Sequence, residues 1–335
     1  MTSDFNNNYK NLFLSWTSFF SSFYDKDVIM VLELREHLKN KDRLYKEWLK
    51  RERKIRMRIK IVTDSTVDLP QEVLDQYEIE IVPLSITIDG VSYLDRVELT
   101  PSEFMSKLKA AKEIPKSSQP AVGSFVEVYD RLGQDGSHII SIHMTEGMSG
   151  TYASAKSASD LTSSTVTVIN SSFISVALGF QVLEAAKMAQ NNHSVDEIIQ
   201  RLESIKNNTS LYIMVDTLEY LVKGGRVGKA TAFIGSLLNI KPISSLTDGV
   251  LSPVTKVRTH AQMITFLTQR FKAEIEGKVV KGIGIAQVEA EGLANQLKEK
   301  LVGLCDVKDI LIIETTPVIS THTGPGAIAL MYYVE

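Results

Sequence analysis

From Met57 onward, short runs rich in β-branched residues alternate with segments whose apolar residues recur at helical spacing, and this alternation constrains the fold most. Each run has the length of a strand, and the stretches between can carry the chain back over a sheet. Parallel βαβ units are the predicted result. Strands are expected at 59–63, 79–88, 138–143 and 165–169, with helices at 101–111, 123–133, 150–160, 173–190 and 195–206. Thr100-Pro101-Ser102-Glu103 and Ser194-Val195-Asp196-Glu197 read as capping boxes, Pro101 sits at a first helical position, and Asp68 before Pro70 reads as a further cap. Asp89-Gly90 marks a hairpin.

After about residue 207 the texture changes. A strand at Leu211–Val215 is followed by a Gly224-Gly225 break, a helix near 230–238 and a hairpin at Asp248-Gly249. Strands at 279–286, 309–315 and 327–334 flank helices near 259–274 and 291–302. Hairpins mixed with crossovers imply an α+β architecture. The expected fold class is therefore α/β, with a parallel-sheet βαβ domain over 57–207 and a smaller α+β domain over 208–335. A chain of 335 residues is long enough for two cores.

Residues 1–56 differ from the rest. Arg35 to Arg56 is strongly basic, and Leu34, Leu38, Tyr45, Trp48, Leu49 and Ile55 lie at spacings that predict an amphipathic helix, a type that can make transient membrane contact. The extension carries twelve basic and eight acidic residues, so the remainder holds −7 within a total of −3. Because Met57 leads directly into a strand pattern, 1–56 is read as an extension outside the native domain.

With 37 Lys and Arg against 40 Asp and Glu, no overall basic excess is available to hold a phosphate backbone, so nucleic acid is not an expected partner. The single cysteine, Cys305, excludes an internal disulfide framework and fits a cytoplasmic location. No apolar run reaches the roughly 18–20 residues of a membrane span, and the nearest, Leu12 to Tyr24, is interrupted by five Ser or Thr residues. No secretory signal is expected.

Three hydroxyl-rich turns are the best candidates for a ligand site. Met144-Thr145-Glu146-Gly147-Met148-Ser149-Gly150-Thr151-Tyr152 leaves a strand and enters a helix, so free backbone N–H groups and a positive helix end face whatever lies above. Ser117-Ser118-Gln119-Pro120 and Ser320-Thr321-His322-Thr323-Gly324-Pro325-Gly326 are also rich in neutral donors. Such donors suit one carboxylate better than a polyphosphate. Ser149 also stands where a helix N-cap belongs, and Pro120 makes 117–120 a natural turn. The histidines show no metal-ligand spacing, so neither a metal nor another cofactor is expected. Arg226 and Arg258 lie at expected element boundaries, where solvation is the default and grip on an anion the alternative. The apolar stretches around 173–180 and 233–238 read first as core.

The chain from Met57 to Glu335 resembles the DegV family of bacterial fatty-acid-binding proteins. The resemblance is carried by Val62-Thr63-Asp64-Ser65-Thr66, Ser117-Ser118-Gln119-Pro120, Ser149-Gly150-Thr151-Tyr152, Gly224-Gly225-Arg226, Val257-Arg258-Thr259 and the run from Pro317 to Gly324. It implies a long-chain fatty acid as bound ligand between two domains, with its carboxylate on Ser117 and Ser149 and with Ser118, Gly150, His322 and Thr323 in support. It also implies a partner, an ATP-binding fatty acid kinase subunit that forms an acyl phosphate for phospholipid synthesis, with Arg258 and Arg226 in that coupling. The chain itself would be a carrier and not an enzyme, and it has no Gly-x-x-x-x-Gly-Lys-Ser/Thr loop.

Two departures from the family pattern bear on the site. Glu146 replaces a common serine and is expected to face solvent, since an inward acid would repel a carboxylate. Gln287 stands where relatives have histidine. A rival reading makes the chain a serine hydrolase, with Ser149 as nucleophile, His322 as base and Asp64 as orienter. The Gly-x-Ser-x-Gly elbow is broken, however, because Gly150 is followed by Thr151.

Overall fold

The computed structural model describes residues 58–233, 240–307 and 309–335, and Met57–Glu335 form one compact unit. The amphipathic helix expected within 1–56 lies outside the described residues, as does most of the helix expected near 230–238.

Strand β1 (Ile59–Asp64) leads through α1 (Gln71–Gln76) to β2 (Glu80–Val82). Strands β3 (Ser85–Ile88) and β4 (Val91–Leu94) form a hairpin, followed by α2 (Pro101–Ala110), β5 (Lys116–Ser118), α3 (Val122–Gly133), β6 (His138–His143), α4 (Thr151–Ser159) and β7 (Val166–Asn170). β2, β1, β6 and β7 make a four-stranded parallel sheet in that order. Its central strands are covered on both faces. Val62 and Ile139 pack with Phe125, Tyr129 and Ala155 from α3 and α4, while Ile61, Ile140 and Ile142 join the core that contains Leu178 and Val182. Near-continuous apolar strands are what a doubly covered sheet requires.

The strand expected across 79–88 breaks in two at Pro83. Proline cannot donate to a ladder, so β2 ends at Val82 and β3 begins in a different, antiparallel sheet ordered β4, β3, β5. Ser117 and Ser118, expected to begin a turn over 117–120, instead lie in an edge strand of that sheet (Lys116–Ser118), with Ser117 opposite Ile86. The extended conformation favoured before Pro120 serves a ladder as well as a turn.

α5 (Ser175–Gln190) and α6 (Val195–Asn207) lead into β8 (Thr209–Met214), α7 (Glu219–Lys223), a 3₁₀ turn (Gly228–Phe233), β9 (Lys241–Thr247) and β10 (Val250–Val257). Then come α8 (His260–Glu274), β11 (Val280–Gln287), α9 (Glu291–Leu301), β12 (Leu311–Glu314), α10 (Pro317–Thr323) and β13 (Ile328–Val334). The six strands are ordered β10, β9, β8, β13, β11, β12, antiparallel except between β11 and β12. Met263, Leu267 and Phe271 of α8 and Leu297 of α9 pack with Ile283, Leu330 and Tyr332 of this sheet. Val176 and Ala177 of α5 pack with Leu211, Ala286 and Met331, so α5 joins the two sheets.

Both capping boxes form as read, with Thr100 and Ser194 accepting from Glu103 and Glu197 backbone N–H groups. Both Asp-Gly pairs take positive φ at each residue, as a tight hairpin requires. Two caps are corrected. Pro70, not Asp68, precedes α1, because the Asp68 carboxylate is drawn into the interior by the Ser175 and Thr315 hydroxyls. Gly150, not Ser149, is the residue before α4, and Ser149 lies one position upstream. α5 begins at Ser175, later than expected, with Ser175 at φ 60°. That left-handed conformation is held by bonds from Ser175 N to Thr66 O at 2.9 Å and from Oγ to Asp68 Oδ2 at 2.5 Å.

Candidate functional site

A cavity of about 930 Å³, including its open mouth, lies where the ends of β1 and β6 approach β5, α10 and the inner face of the six-stranded sheet. Open α/β sheets bind ligands beyond the carboxyl ends of their strands, which is where this cavity lies. Leu211, Ile213, Leu246, Ala286 and Ala329 line one wall, and Met144 and Met148 supply flexible apolar surface. Ser117, Gln119, Ser149, Arg226, His322 and Thr323 also face the cavity.

Each of the three predicted turns contributes to this lining. Ser117 Oγ and His322 Nε2 are 2.6 Å apart across 205 residues of sequence. Burial, followed by the nearby Arg226 charge, pushes the His322 pKa down to about 4, so the ring is neutral at pH 7. Its Nδ1 is buried without a hydrogen-bond partner. An unpaired acceptor is less costly than an unpaired N–H, so the proton belongs on Nε2, where it donates to Ser117 Oγ. The Ser117 hydroxyl hydrogen is thereby left without a partner among the described residues. His322 sits directly over Gly224, where a Cβ would come within 2.2 Å of Nδ1. The Gly224-Gly225 break is thus a seat for the ring.

Ser149 Oγ accepts from Thr151 N at 3.3 Å and lies 2.9 Å from Thr151 Oγ1. With Thr151 as the donor in that pair, the Ser149 hydroxyl hydrogen is likewise unpaired. The loop carrying Ser149 is pinned to the β9–β10 turn by Thr145 Oγ1, which donates to Gly249 O at 2.9 Å. Gly249 has φ 74°, and a Cβ there would approach Thr145 Oγ1 to 2.3 Å, so glycine is required twice over. Arg226 donates through Nε to Met148 O at 3.0 Å and through Nη1 to Gly224 O at 2.7 Å. It ties the loop carrying Ser149 to the Gly224 segment on which His322 sits, while placing a cation on the cavity wall.

Other predicted residues lie elsewhere or are engaged locally. Ser118 is exposed, because alternate residues of β5 face opposite ways. Gly150 packs against the Gln119 amide, which donates to Ser154 Oγ at 3.0 Å. Thr323 lines the cavity but its hydroxyl donates to Ile319 O at 3.2 Å. Arg258 is exposed between β10 and α8. Glu146 faces solvent, as expected, and accepts from Asn170 Nδ2 at 3.0 Å.

The hydrolase arrangement is not assembled. Asp64 accepts from Thr66 Oγ1 at 2.6 Å and Met144 N at 2.8 Å and lies 3.1 Å from His143 Nδ1, so it orients a different histidine. His322 Nε2 is bonded to Ser117 rather than Ser149. Among the described residues no cluster of His, Cys, Asp or Glu could hold a metal ion, and no helix is long and apolar enough to cross a membrane.

Sequence reasoning missed two buried acids behind the site. Asp68 accepts from Ser175 and from Thr315 Oγ1 at 2.6 Å, and burial raises its pKa to about 6. Asp95 accepts from Val318 N at 3.2 Å, leaves Oδ2 unpartnered, and is raised by burial to about 7. Both carboxyls therefore tie the first half of the fold to the segment bearing His322. Neither has a spacing signature.

Together, fold and site define an α/β binding protein with an apolar cavity at the carboxyl ends of a parallel sheet. More particularly, the chain belongs to the DegV family, whose profile matches residues 58–335. A DegV domain-containing protein of Listeria monocytogenes is 41% identical over 279 residues, covering 83% of this chain and 99% of that protein. Among solved structures, a fatty-acid-binding DegV family protein from Thermus thermophilus has a TM-score of 0.79 at 32% identity, covering 83% of this chain and all of that one. DegV from Bacillus subtilis, described as a fatty acid binding protein, has a TM-score of 0.77 at 32% identity with the same coverage.

Proposed function

We propose that this protein binds a long-chain fatty acid in the cavity, holds its carboxylate on Ser117 and Ser149, and presents that head group to an ATP-dependent kinase subunit. The observation that carries this reading is the cluster of hydroxyl donors and a neutral His322 beside Arg226 on the wall of a largely apolar cavity. One carboxylate can be matched there by hydrogen bonds and a single cation without a surplus of buried charge. Burying about fifteen methylenes yields roughly 12 kcal/mol at most, and association costs of roughly 4–15 kcal/mol offset much of it. The tail supplies affinity and the polar end supplies orientation.

The direct test is organic extraction of the protein purified from its host, followed by mass spectrometry. One long-chain acid per folded chain is expected, and an empty protein that also fails to take up added fatty acid would overturn the reading. Coupling is tested separately. In this reading the exposed Arg258 meets the kinase and not the lipid, so Arg258→Ala should keep its bound acid while acyl phosphate formation with the partner falls about tenfold, the usual scale for one interfacial charge. Turnover at the wild-type rate would remove Arg258 from the coupling surface.

A further inference from the structure

A second polar patch lies on the cavity wall, and the proposed clamp makes no use of it. Gln287 closes β11, is 7% exposed and faces the cavity. Its Oε1 accepts from Ala290 N at 2.6 Å, which fixes the sense of the amide and turns Nε2 away from that loop. Among the described residues Nε2 has no hydrogen-bond partner and is not sealed in protein, and Gln287 lines the cavity. Ser175 and Thr315 share this wall, and Thr315 N donates to Gln287 O at 3.0 Å. Both hydroxyls donate to Asp68 Oδ2, so their oxygens retain lone pairs that can accept.

This patch therefore offers one donor and two acceptors within an apolar slot. A saturated chain passing it leaves the amide N–H unpaired, which is costly for a donor shut off from water. The geometry points to Gln287 as the residue that selects acyl chains bearing a hydroxyl along their length, with the ligand oxygen accepting from Gln287 Nε2 while its hydrogen goes to Ser175 or Thr315. The inference rests on the fatty-acid reading of the cavity and deepens it. A double bond offers only a weak π acceptor, a ketone accepts without donating, and a second carboxylate would meet Asp68.

The test is a binding panel on the full chain, using stearic acid and its monohydroxy derivatives with the hydroxyl at successive carbons. At one or two positions the hydroxy acid is expected to bind at least about tenfold tighter than stearic acid, the equivalent of one satisfied buried donor. Gln287→Leu should remove that preference and leave stearic acid affinity equal or improved. If this variant does not fold, Gln287→Met keeps the length without the donor and should give the same result. Stearic acid binding with no preference at any position, or a preference that survives both substitutions, overturns the role of Gln287 alone. Failure of the folded wild type to bind any acid overturns the fatty-acid reading and this inference with it.

Discussion

Replacing Ser117 and Ser149 by alanine together is expected to weaken fatty acid binding by about 100-fold or more and to yield protein that purifies without lipid. Hydrogen bonds to a charged group contribute about 1.5–3 kcal/mol each, and an ionised carboxylate left without donors in an apolar cavity adds a desolvation cost. The two sites differ in what each substitution leaves behind. Removing the Ser117 hydroxyl also takes away the partner of His322 Nε2, whose other nitrogen already lacks one, so this single change should be the more damaging. Ser149→Ala removes only a local partner of Thr151 N and Oγ1 and leaves the Ser117–His322 pair in place. Displacement of a fluorescent fatty acid measures the affinities, native mass spectrometry measures the bound lipid, and circular dichroism establishes that the variants fold. A folded double variant that keeps its lipid would rule out the hydroxyl clamp.

Much of this fold could be read from the sequence, and the reasons are local. The parallel sheet announced itself through unbroken apolar strands, since Ile139, Ile140 and Ile142 are buried on both sheet faces. Capping boxes and Asp-Gly turns carry their geometry in adjacent residues. The three turns that line the cavity were legible because each clusters small hydroxyl residues beside glycine or proline. What could not be read depends on partners distant in sequence. Pro317–Thr323, to which the sequence pattern assigns no element and whose end reads as a turn, forms α10 with Pro317 at its start and Val318 N donating to Asp95, 223 residues earlier. Ser149 looked like a cap until its neighbours were placed. The pairing of Ser117 with His322, the seat of that ring on Gly224 and the patch around Gln287 likewise arise only when the chain is folded.

Asp95→Asn is expected to raise the melting temperature by about 5 °C at pH 8 while changing it little at pH 4, where the carboxyl is neutral in the folded chain and half-protonated in the unfolded one. The sign follows from proton linkage. Burial raises Asp95 from 3.8 to about 7, so between those values the unfolded chain releases a proton that the native state retains. Stability from this group therefore falls as pH rises, and the loss is complete above about 7. Asp68, raised to about 6, acts in the same direction, and for both acids hydrogen bonds and the nearby Arg96 charge offset only part of the burial. His322 opposes them: its pKa is lowered to about 4, so its contribution is lost as pH falls from 6.5 toward that value. A tenfold difference in proton affinity between the native and unfolded chain corresponds to about 1.4 kcal/mol, which makes Asp95 the most consequential of these three groups. Asparagine keeps an acceptor for Val318 N and removes the ionisable oxygen that has no partner. Thermal melts of both proteins across pH 4 to 9 measure the difference directly. An advantage that is the same at every pH, or a loss at pH 8, would show that the Asp95 carboxylate is accommodated ionised and that α10 is not held by a neutral acid.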